Sequence, residues 1–192
     1  RTVRHGATYR LVAVGLTDNQ PDNLTFWAKS VTGVKGRPAM KTLGVAGGPT
    51  WDDFLFPDPW ESVGECCIGC VDLAFSIEGG SCKVLFDNGP ADLSGSAGGL
   101  ASEVSTGSRD SRAAGDFVLP PCRELNICYI EGCIFTNCQD FTPIAYVFPN
   151  GCKLPSELPG WPVLEAKGNI VQDLGFTITY QGRTLRAYRV GF

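Results

Sequence analysis

A chain of 192 residues, 43% of them hydrophobic, can bury about 70% of its unfolded surface, so it does not depend wholly on cross-links. Its 16 basic and 20 acidic residues leave a net charge of −4 with neither sign in blocks, which argues against nucleic acid as a partner, since such binders carry a basic stripe. The longest apolar runs, Leu11 to Val14 and Ile144 to Phe148, are too short to span a membrane. No charged-then-apolar leader opens the chain, so an exported form is expected to have lost it.

Strand signals dominate from the start. Tyr9, Leu11 and Ala13 alternate with Arg10, Val12 and Val14, and Leu24 to Val31 is rich in β-formers, including Phe26 and Trp27. A short helix is expected after Asp58, with Asp58 as N-cap, Pro59 at the first helical position and Glu61 three residues past the cap. Val71 to Ile77 and Lys83 to Phe86 are further apolar runs bounded by turn formers. Residues 94–115 are small and polar, and read as an exposed, mobile Gly/Ser/Ala-rich loop. Phe141 to Phe148 reads as another strand. At the end, Phe176, Ile178 and Tyr180 alternate with Thr177 and Thr179, Gln181-Gly182 turns, and Leu185 to Val190 returns as the second arm of a hairpin.

With 24 glycines and 13 prolines, few windows hold three uninterrupted helical turns. The expectation is one all-β, mainly antiparallel domain over residues 1–192, a β-sandwich or barrel with one short helix and long loops.

Nine cysteines stand against one methionine and one histidine. They are Cys66, Cys67, Cys70, Cys82, Cys122, Cys128, Cys133, Cys138 and Cys152, all mid-chain. Cytosolic chains seldom carry so many thiols without a metal or redox reason. The expectation is a disulfide framework of at most four bridges, with one thiol left free or paired between chains. Zinc is the competing reading, from Cys67-Ile-Gly-Cys70, but the later cysteines are spaced by five rather than in a second C-x2-C, and His5 lies far off. No metal and no cofactor is therefore expected. Asn23-Leu24-Thr25 is a glycosylation sequon, which fits a secreted, extracellular chain.

Catalysis by Ser-His-Asp or Cys-His needs a base, and His5 has no serine elbow to serve. Phosphate-loop, dinucleotide and H-E-x-x-H motifs are absent from the sequence. The most suggestive stretch sets Asp52, Asp53, Asp58 and Glu61 beside Trp51 and Trp60, the acids and aromatic platforms of a sugar-binding cleft. A solvated turn with core tryptophans is the plainer account. Trp161, between Gly160 and Pro162, is a further candidate for exposed aromatic contact. In composition the chain resembles the cysteine-rich secreted proteins of filamentous microbes, a group that includes host-directed effectors and cell-wall proteins. The expected function is non-catalytic extracellular recognition of a host protein or a polysaccharide. A carbohydrate-active enzyme using a carboxylate pair near Asp52–Glu61 is the alternative.

Overall fold

The structure is a computed structural model that describes residues 2–3, 8–17, 23–31, 39–45, 61–62, 73–80, 83–94, 97–105, 109–118, 125–151, 154–155 and 162–192. These residues form strands and their connections, with no helix among them. In chain order the strands are β1 (Thr2–Val3), β2 (Thr8–Thr17), β3 (Thr25–Ala28), β4 (Ala39–Val45), β5 (Glu61–Ser62), β6 (Phe75–Gly79), β7 (Lys83–Asp87) and β8 (Gly99–Ala101). Then come β9 (Glu103–Ser105), β10 (Arg109–Val118), β11 (Leu125–Thr136), β12 (Thr142–Gly151), β13 (Leu154–Pro155), β14 (Leu164–Lys167), β15 (Asn169–Tyr180) and β16 (Arg183–Gly191).

Two eight-stranded sheets share the strands. The first runs β15-β16-β11-β3-β8, with β1, β6 and β7 attached through β11; the second runs β13-β12-β2-β9-β10-β4-β5, with β14 beside β12. Pairing is antiparallel except between β2 and β9.

A common core explains why the sheets pack. Tyr9, Leu11, Ala13, Ala113, Phe117, Ala145 and Val147 of the second sheet meet Trp27, Phe75, Ile77 and Ile130 of the first. The Trp27 indole, 1% exposed, donates its Nε1–H to the carbonyl of Ala74 at 3.0 Å, so its one polar atom is satisfied where water cannot reach. Strand β2 is buried on both faces, because Val12 and Val14 belong to a separate cluster with Ile144, Tyr146 and Phe148. Arg10, on that same side, is 1% exposed and lies 3.4 Å from Asp116 across the pair.

The first sheet is curled like half a barrel. Strands β3 and β15 are separated by β11 and β16 in the strand order, about 14 Å if flat, yet the rings of Phe26 and Tyr180 lie 4.9 Å apart. The curl encloses a second apolar cluster around Cys133, Phe135, Leu185 and Ala187, lined further by Leu174, Phe176 and Ile178. The hairpin of β15 and β16 closes through Gln181 and Gly182 at φ 48° and 76°, with Tyr180 paired to Arg183. This is the two-residue turn, both φ positive, that matches strand twist.

Three expectations need correction. Most of 94–115 is not a loop: it contains β8, β9 and the first part of β10, with Ala113 and Ala114 fully buried. Small side chains are needed there because the sheets approach closely. Ser102 donates its hydroxyl to the Ala13 carbonyl and accepts from the Ala113 amide, and a Cβ on Gly115 would sit 2.7 Å from the Phe75 ring. The short helix is not seen where it was expected to run on, since Glu61 and Ser62 are extended and paired with Met40 and Ala39; Asp58 and Pro59 lie outside the described residues. Lastly, no disulfide occurs among the described residues: Cys128, Cys133 and Cys138 are all free thiols. Cys66, Cys67, Cys70, Cys82, Cys122 and Cys152 lie outside the described residues.

The close approach at Gly115 is testable. Phe75 also stacks on Phe86 at 5.3 Å and cannot swing away freely, so Gly115→Ala is expected to destabilise by about 1–3 kcal/mol, read as a lowered urea midpoint at unchanged slope.

Candidate functional site

The residues singled out from sequence as a sugar or partner site fall almost wholly outside the described residues. Trp51, Asp52, Asp53, Asp58, Trp60 and Trp161 lie outside the described residues, and Glu61 is placed only as backbone in β5. Asn23 is half-buried, immediately before Leu24, whose amide binds the Asn137 carbonyl oxygen of the side chain at 2.7 Å.

A pocket of about 340 Å³ opens on the face of the first sheet that turns into its curl, the face that carries Cys133. It is assembled by strand register. On β11, Glu131, Cys133 and Phe135 project to one side, as alternate residues must. Glu131 lies opposite Ser76 of β6, which lies opposite Asp87 of β7, and Cys133 lies opposite Arg189 of β16. Opposed residues share a face, so Ser76, Asp87, Glu131, Cys133 and Arg189 all line the pocket.

The fourth wall is the segment from Gly89 to Leu93. Asn88, fully buried, anchors it: its amide donates to Phe75 carbonyl at 2.9 Å, its side-chain Nδ2 donates to Leu73 carbonyl at 2.8 Å, and its own carbonyl accepts from the Ser30 hydroxyl. Gly89 at φ 85° makes the turn out of β7, capped by its amide on Asp87 Oδ1 at 2.7 Å. Further along, the Asp92 amide donates to Lys29 carbonyl at 2.8 Å and the Asp92 carboxylate pairs with Lys29 Nζ at 3.1 Å. Buried polar atoms that are bonded in this way hold a wall in one place.

The electrostatics of the pocket are mixed. Arg189 Nε lies 3.4 Å from Glu131 Oε1, with both side chains partly exposed, at 44% and 34%. The Tyr129 hydroxyl also donates to Glu131; burial first, then the charges of Glu131 and Glu78, hold its pKa above the usual phenol value. Burial pushes the Cys133 thiol up to about 12, with the Arg189 charge opposing the shift and Glu131 adding to it. At neutral pH the sulfur is therefore protonated and not nucleophilic. Among the described residues no group of three or more His, Cys, Asp or Glu is placed to hold a metal ion.

The sequence offered little to mark this site. Glu131 and Arg189 are ordinary surface residue types far apart in the chain, and Cys133 read as a bridge candidate when it serves as a small apolar filler.

Two outcomes follow from the thiols. In native protein without reductant, iodoacetamide is expected to label Cys128, which is exposed, while Cys133 and Cys138, both buried, label only in denaturant, as peptide mapping would show. The second concerns alkali. A thiol at about 12 in the fold and near 9 when unfolded keeps its proton longer in the native state, so stability is full below pH 9 and falls as pH rises to 12. The loss attributable to Cys133 approaches about 4 kcal/mol, and Cys133→Ala is expected to flatten that part of the pH–stability curve. No protein-family model, no curated protein and no solved structure matches this chain.

Proposed function

We propose that the chain is a non-catalytic recognition protein acting outside the cell, and that it binds a glycan in the pocket on the curled sheet. One observation carries the reading: a pocket of about 340 Å³ whose lining combines apolar side chains with the Glu131–Arg189 pair. That volume lies within the usual range for small-ligand sites, which combine apolar lining with a few fixed polar groups. Carboxylate and guanidinium together supply the acceptors and donors that hydroxyl groups require. Among the described residues that line the pocket, Cys133 supplies no activated nucleophile, since its thiol stays protonated. The sequon at Asn23 and the six cysteines other than Cys128, Cys133 and Cys138 support the extracellular placement.

Incubating the protein with immobilised cell-wall and cell-surface glycans, while assaying the same polymers for new reducing ends, tests the proposal. Saturable retention on a subset of glycans with no release of reducing ends is expected. Release of reducing ends would instead identify a carbohydrate-active enzyme, and retention on none of the glycans would remove glycan recognition.

A further inference from the structure

We infer that the Glu131–Arg189 pair is the reading head of the pocket and that it takes a vicinal diol of a pyranose ring, an assignment that rests on the glycan reading above. Arg189 approaches Glu131 through Nε, at 3.4 Å, and a guanidinium has five donor hydrogens, more than one neighbouring carboxylate can use. Glu131 accepts from Tyr129 and keeps further lone pairs, because an ionised carboxylate has about four acceptor sites. Both side chains are partly exposed at the pocket rim, at 44% and 34%, and so remain reachable by a ligand. The pair is thus a donor set and an acceptor set side by side, electrically neutral as a unit.

A ligand that uses both without separating them must itself present a donor and an acceptor on neighbouring atoms. Two adjacent hydroxyls do this: one donates to Glu131, the other accepts from the Arg189 fork. A simple anion meets Glu131 in the same place, a simple cation meets Arg189, and a zwitterion gains full strength only by prying the pair apart. The lining also includes the apolar side chains of Val84, Pro90, Leu93 and Leu174, which suit the C–H face of a sugar ring. Val84, 60% exposed, leaves apolar surface of that lining open to a ligand.

The test uses the full chain and a panel of methyl hexopyranosides in the gluco, manno and galacto series, with their monodeoxy analogues and free leucine as a zwitterionic control, read by saturation-transfer NMR at millimolar ligand. At least one glycoside is expected to bind, and to weaken about tenfold or more when either hydroxyl of one adjacent pair is removed. Glu131→Gln and Arg189→Lys are each expected to weaken it about tenfold, the latter because a lysine keeps the charge and loses the fork. Both variants should retain the wild-type far-UV spectrum and melting temperature, since the pair is solvent-screened. Glycoside binding unchanged in both variants would overturn this assignment and leave glycan recognition standing elsewhere on the surface. Binding of leucine with no glycoside bound would overturn the diol and the glycan reading together.

Discussion

Twelve residues of β11 must serve four other strands, and this demand organises everything around them. Along one edge β11 pairs with β1 at its start and with β16 from Glu131 to Thr136; along the other it pairs with β6 and then with β3. The two sides of the strand are committed as firmly as the two edges. Ile130 enters the core shared with the second sheet, whereas Cys133 and Phe135 face the cluster inside the curl. A slip by one residue would reverse every one of these assignments. The partner change is accompanied by an irregular step between Ile127 and Tyr129, which leaves Cys128 exposed and accentuates local twist.

The pocket is a consequence of that arrangement. Where β6 ends its pairing and β3 begins, the face of β11 turned into the curl passes from polar to apolar, from Tyr129 and Glu131 to Cys133 and Phe135. The segment after β7 crosses this boundary and is fixed there by hydrogen bonds from Asn88, Ser30 and Asp92. A buried polar group left without a partner costs about 1–3 kcal/mol, so these atoms hold the segment to one path. A ligand entering a site whose walls are already ordered loses less entropy on binding.

The fold was legible wherever a strand showed a clean period of two or a turn had demanding chemistry. Phe176, Ile178 and Tyr180, followed by Gln181-Gly182, pointed to the β15–β16 hairpin because few other structures satisfy that pattern, and the pairing of Tyr180 with Arg183 follows. The β2 segment was also found, although its alternation was blurred by burial on both faces. Residues 94–115 misled because alanine, glycine and serine carry the same signal in a loop as in a tightly packed strand. What separates the two is contact with Phe75 and Ala13, which is not local information. The pocket was illegible for the same reason. Its parts come from β6, β7, β11, β16 and a connecting segment, and register, not spacing in the chain, brings them together.

Cys133 shows how the same residue type changes meaning with its surroundings. By count it belongs to a cysteine-rich class in which pairing is the default. By position it lies on a face with Phe135, Leu185 and Ala187, where a thiol behaves as a small hydrophobe. Its proton is held well beyond neutral pH, so the sulfur offers neither a nucleophile nor a good metal ligand to whatever occupies the pocket. Beside it, Glu131 stands 3.4 Å from Arg189, so the acid of the pocket meets a cation rather than apolar side chains alone.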